Sequence, residues 1–144
     1  MKVQEILDKW KIDSRVDASD LTAEAARIYQ LHADYLDLWT NERLILKKLE
    51  LQEKLLKLEK HEFLLQGPSP ETKEKGWEYP VSGKVMRQDV DLYRDADKQY
   101  QDICGRIEVQ KAKVDTLEMI LKAIGNRNFI VNGMIKREIF MGGM

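Results

Sequence analysis

Residues 28–66 read IYQLHADYLDLWTNERLILKKLELQEKLLKLEKHEFLLQ, and no Gly or Pro interrupts them. Positions 28, 31, 35, 38, 42, 45, 49, 52, 56, 59 and 63 are spaced alternately by three and four, and eight of them are apolar or aromatic. That alternation marks the seam of a coiled-coil helix, because such spacings keep returning to one side of a 3.6-residue turn. A second seam of Leu44, Leu51, Leu58 and Leu65, with Leu55 beside it, keeps strict seven-residue spacing and lies about 100° further round. The helix therefore has two apolar faces.

Toward the N-terminus, residues 1–66 as a whole lack Gly and Pro, which predicts a mostly helical segment. Ser19 stands ahead of Leu21 as a capping residue, with Asp20 and Glu24 placed to complement the positive end of a helix. The expectation is a short helix over residues 3–11 and a long one from about residue 20 to residue 66. At 1.5 Å per residue the long helix spans roughly 70 Å, which suits a coiled-coil arm better than a compact domain.

Toward the C-terminus, residues 67–83, GPSPETKEKGWEYPVSG, hold all three prolines and three of the eight glycines, so a hairpin loop over 67–86 divides two halves. In a second arm over 87–125, Tyr93, Ala96, Tyr100, Ile103, Ile107, Gln110, Val114, Leu117, Leu121 and Ile124 repeat the alternation with only Gln110 polar. Gly125 and Asn126 then stand at a break. Phe129, Ile130, Met134, Ile135, Ile139 and Phe140 predict a short apolar C-terminal helix within 126–144. Such a helix docks either on its own hairpin or on a neighbouring subunit.

The fold class expected is all-α: a long coiled-coil-like helical hairpin with short N- and C-terminal helices, in a single domain over 1–144. A hairpin buries one seam of its long helix and leaves the leucine seam wet, which points to a homo-oligomer. The alternative is that the N-terminal helix, with Ile6, Leu7 and Trp10, folds back over that seam.

Composition excludes several function classes. Lone Cys104 closes no internal disulfide, and one Cys with His32 and His61 does not make an ordinary four-ligand zinc site. No signal-peptide core and no apolar run of 18 residues occurs, so a soluble protein of a reducing cytoplasm is expected, with no membrane partner. Gly83-Lys84 lacks the remaining residues of a phosphate loop, with Glu78 where the first glycine belongs and Val85 after the lysine. No Ser/His/Asp elbow or metalloprotease pair appears, and Asp89, Asp91, Asp95 and Asp97 read as a solvated helix start. The chain is read as a non-enzyme with no catalytic residue, metal or cofactor.

Charge is informative in its distribution. The net charge is -1, yet residues 1–42 carry five basic and nine acidic side chains, 43–70 carry six and four, and 104–144 carry seven and four. Arg43, Lys47, Lys48, Lys54, Lys57 and Lys60 lie on one stretch of arm, and Lys73, Lys75, Trp77, Tyr79, Lys84 and Arg87 decorate the loop beyond it. Lysine and arginine on phosphates, with aromatics under bases, are what hold flexible single strands. The plain alternative is that these lysines only solvate the outside of a coiled coil.

Residues 10–17 (WKIDSRVD), 31–35 (LHADY), 56–67 (LKLEKHEFLLQG), 93–97 (YRDAD) and 120–129 (ILKAIGNRNF) resemble the UvsY recombination mediators of T-even phages and their relatives in other myophages. The resemblance implies a recombination mediator in the host-cell cytoplasm that binds single-stranded DNA and promotes loading of the phage recombinase in place of single-strand-binding protein. It also implies a homo-oligomeric ring of about six or seven subunits. DNA-binding basic residues are implied just before the hairpin tip, so Lys57 and Lys60, then Lys54, are the nearest candidates, with Arg43, Lys47, Lys84 and Arg87 around them. The match departs at Glu59 and His61, which stand where the T-even member carries its basic pair. The family's C-terminal segment drives assembly, and Phe129, Ile130, Met134, Ile135, Ile139 and Phe140 occupy it here. The rival reading is a homo-oligomeric coiled-coil assembly protein that does not bind DNA.

Overall fold

A computed structural model describes residues 1–142. In chain order it contains α1 (Val3–Asp13), α2 (Leu21–Gln66), α3 (Pro70–Glu74), a 3-10 turn (Arg87–Asp89), α4 (Val90–Ala96) and α5 (Lys98–Gly142), with no strand among the described residues. Two compact units are built from them: Met1–Ile45 with the described residues of Gln110–Met144, and Leu46–Val109. Within each unit a stretch of α2 packs antiparallel to a stretch of α5.

The ends of α2 follow from local chemistry. Its cap is Asp20, whose carboxylate accepts the Ala23 N–H at 3.1 Å. The expected cap, Ser19, instead donates its hydroxyl to Asp17 at 2.5 Å. At the other end Gly67 adopts φ 87°, a left-handed conformation that glycine reaches at no steric cost, and its N–H closes on the Phe63 carbonyl at 2.9 Å.

In the first unit Ile6, Ile28, Leu31, Tyr35, Leu117, Ile120, Ile124 and Val131 form the core, with Trp10 packed against it. α1 therefore lies over the inner seam of α2 and not over the leucine seam. Arg27 and Arg127 fasten the connection after α1: the Asp13 carbonyl accepts from Arg27 at 3.4 Å and from Arg127 at 3.0 Å, and the Ser14 carbonyl also accepts from Arg127. One polar interruption of the first seam meets that of the second here, since Gln110 donates to the Glu42 carboxylate at 2.5 Å and to its carbonyl at 2.8 Å.

The first sequence seam is followed closely as far as Glu42. Beyond it Leu49 and Phe63 stay buried, but Leu46 is buried where Ile45 is 46% exposed, Lys60 is buried beside Glu59, and Gln52 is exposed. A helix of 3.6 residues per turn drifts ~20° per heptad against a 3.5 repeat, and two successive steps of four, 38 to 42 to 46, absorb that drift.

Two further expectations are corrected. The separate C-terminal helix does not exist among the described residues: α5 runs through Gly125 to Gly142 without a break. Glycine costs a helix about 1 kcal/mol, and Ile124 and Val131, 1% and 0% exposed on either side of Gly125, repay it by packing in one core. The second arm is interrupted instead at Asp97, where ψ is 130° and the carboxylate caps α5 by accepting the Tyr100 N–H at 3.0 Å.

Candidate nucleic-acid interface

The candidate lysines of the second unit belong to α2, and the shift at Glu42 decides which of them face water. Lys47, Lys54 and Lys57 are exposed and share an arc of about 80° on the helix, rising over ~15 Å. Lys47 lies 3.6 Å from Glu50, whereas Lys54 and Lys57 have no ion-pair partner among the described residues. Long flexible ammonium groups held this way suit phosphate contacts without base preference.

Lys60 is placed differently. It is 4% exposed, its Nζ is 3.3 Å from Asp97 Oδ1 and 3.8 Å from the centre of the Trp77 ring. Carboxylate and π face together neutralise it, so this lysine supports the fold and offers no surface charge. The sequence reading named it a DNA contact because the resemblance implies basic residues just before the hairpin tip, and nearness to the tip does not report which side of α2 a residue faces.

The loop is pinned by aromatics. Phe63 meets Trp77 edge-to-face at 5.5 Å and Tyr79 at 5.4 Å. The Tyr79 hydroxyl donates to the Leu64 carbonyl at 2.7 Å and accepts the Val85 N–H at 3.0 Å. These aromatics are therefore packing residues first. Lys75, 4.9 Å from the Trp77 ring, pairs with Glu59 at 3.4 Å. Lys84 and Arg87 are exposed and, with Leu65, Gln66, Val85 and Met86, line an open groove of about 640 Å³. In the first unit Arg43 is exposed, with its guanidinium 5.0 Å over the Trp39 ring.

The assembly candidates divide similarly. Phe129, Ile130, Ile139 and Phe140 are 79%, 61%, 70% and 67% exposed and Met134 is 39% exposed, while Ile135 packs against the core of its own unit. No group of three or more His, Cys, Asp or Glu that could hold a metal exists among the described residues, and no helix there is long and apolar enough to cross a membrane.

The family model described as "Recombination, repair and ssDNA binding protein UvsY" matches residues 9–144. The chain belongs to the UvsY family. Two solved structures titled as the bacteriophage T4 recombination mediator protein UvsY share the fold. The type IV lattice is 18% identical with a TM-score of 0.83, covering 97% of this chain and 99% of that one. The type II lattice is 19% identical with a TM-score of 0.83, covering 99% and 98%. No curated protein sequence matches.

Set on the fold, the UvsY signatures divide by role. Residues 10–17 and 120–129 meet through Arg127 and the Asp13 and Ser14 carbonyls, and 56–67 meets 93–97 through Lys60 and Asp97. Each pair of stretches therefore carries a structural clamp, while exposed Lys57 lies within 56–67 and Lys54 just before it.

Proposed function

We propose that this UvsY-family chain is a recombination mediator that binds single-stranded DNA and promotes loading of the phage recombinase in place of single-strand-binding protein. Lys54 and Lys57 are its principal phosphate contacts, with Lys47, Arg43, Lys84 and Arg87 contributing around them. The observation that carries this reading is the pair of exposed lysines without an ion-pair partner among the described residues, Lys54 and Lys57, on one side of α2 in a chain whose net charge is only -1. The protein acts as a homo-oligomeric ring, with residues 126–144 as an assembly segment, because many modest patches engaged together bind far more tightly than one. It turns over no substrate.

The test is a titration of single-stranded oligonucleotide against salt. Log affinity should fall linearly with log salt, with a slope of about 0.7 per phosphate neutralised. Lack of any salt-sensitive binding supports the rival reading of an assembly protein that does not bind DNA.

A further inference from the structure

The outer side of α2 is bare along its length. In the first unit Tyr29, Leu36 and Leu44 are 73%, 42% and 64% exposed; in the second, Leu51, Leu55 and Leu58 are 67%, 59% and 54% exposed. At 100° per residue the first three fall within an arc of about 80° of their stretch of helix, and the last three within about 60° of theirs. An apolar stripe of this kind in each unit marks an interface.

The charges beside the stripe change sign along it. Residues 28–44, which bear the first half of the stripe, carry exposed Asp34 and Asp37 against exposed Arg43 alone, with Glu42 buried. Residues 46–58 carry Lys47, Lys48, Lys54 and Lys57 against Glu50 and Glu53, and both glutamates are engaged within the unit, by Lys47 at 3.6 Å and by the Tyr100 hydroxyl. We propose that the acidic outer face of the first half of α2 docks on the basic, leucine-lined outer face of its second half in another copy of this chain.

The observations favour that occupant over others. Nucleic acid accounts for the lysines but not for Leu51, Leu55 and Leu58, which offer no ring on which a base can stack. Two basic halves repel each other. The apolar tail carries Lys136 and Arg137 against Glu138 alone, so it does not complement a basic face. The Tyr29, Leu36 and Asp37 face supplies both apolar surface and opposite charge. Lys54 and Lys57 lie about 40° and 100° round the helix from Leu58, on the side away from Leu51 and Leu55, and are left for phosphate.

This inference rests on the reading that the chain assembles with itself. Sedimentation velocity of the full chain, without DNA and across concentration, separates the two. Asp34→Lys with Asp37→Lys is one variant, and Lys47→Glu with Lys48→Glu is the other. All four positions are exposed, and circular dichroism checks that each variant stays folded. Each variant alone should assemble only at roughly 100-fold higher concentration, because juxtaposed like charges oppose docking. An equimolar mixture should regain the parental assembly, since the reversed faces complement each other. If the parent assembles and either variant does so at the parental concentration, or the mixture regains nothing, the docking is wrong. A parent that stays monomeric at every concentration removes self-association itself.

Discussion

The ammonium of Lys60 sits 3.3 Å from Oδ1 of Asp97, and Oδ2 of the same carboxylate caps α5 through the Tyr100 N–H at 3.0 Å. One aspartate therefore ends the interruption of the second arm and neutralises a lysine that the shift at Glu42 turns inward. Removing the lysine strands a half-buried carboxylate. Lys60→Ala should cost about 2 kcal/mol of stability, discounted from a fully buried pair, and leave DNA affinity of the folded protein unchanged. Urea denaturation and binding measured well below the unfolding midpoint check the two halves of this expectation.

Arg127 holds the carbonyls of Asp13 and Ser14 from a site only 6% exposed, where burial and the nearby Arg27 charge hold its pKa below the usual arginine value. Arg127→Ala should lower stability by roughly 2 kcal/mol, since the half-buried Ser14 carbonyl loses its charge-assisted donor and that of Asp13 keeps only Arg27. The connection between α1 and α2 should also become sensitive to limited proteolysis. Equal protection in parent and variant contradicts the clamp.

Tyr35 and Asp13 give stability two pH limbs. Burial pushes the Asp13 carboxyl up, but hydrogen bonds from Lys9 and Tyr35 and the charges of Lys9 and Arg27 outweigh it and hold the group below 3.8. Its stabilising contribution is present above that value and is lost as pH falls through the lower folded value. Burial first, then the hydrogen bond to Asp13, raises the Tyr35 hydroxyl above 10.0, so its contribution is complete below pH 10 and is lost as pH rises further. Melting temperature against pH should lose its steep acid limb partly in Asp13→Asn and its alkaline limb partly in Tyr35→Phe. Unchanged limbs in both variants contradict the assignment.

The exposed tail residues are best tested one face at a time. Deleting residues 129–144 also removes Val131, which is 0% exposed in its own core, so a truncation confuses folding with assembly. Serine at Phe129, Ile130, Ile139 and Phe140 should leave the melting temperature within a few degrees and shift sedimentation to smaller species. Burial of each such side chain between subunits is worth about 1.5–3 kcal/mol before ordering costs. Unaltered mass at parental concentrations removes the tail from assembly.

Much of this fold was legible because its signals are periodic. The breaker-free run through residue 66, the loop glycines and prolines, and the seam of Tyr100, Ile103, Ile107, Val114, Leu117 and Ile124 all appear where the spacing placed them. Glu42, one of three polar positions in the first seam, and Gln110, the single polar position in the second, were visible in the spacing, and their contact explains both. What was not legible depended on small differences accumulated over distance. A drift of ~20° per heptad is invisible in any one turn, yet after Glu42 it exchanges Ile45 for Leu46 and turns Lys60 inward. The continuity of α5 through Gly125 was equally hidden, because it depends on tertiary burial of Val131 that local propensity does not report.

The account turns on whether Lys54 and Lys57 hold phosphates while Lys60 does not. The most direct measurement is the affinity of the full chain for a single-stranded oligonucleotide across a salt series, in the parent, in Lys54→Ala with Lys57→Ala, and in Lys60→Ala. The account predicts that the double variant binds more weakly and that its slope of log affinity against log salt shrinks by about 1.4 for each subunit engaged. Lys60→Ala should keep the parental slope. A double variant with the parental slope, or a Lys60→Ala protein that stays folded and loses it, contradicts the account.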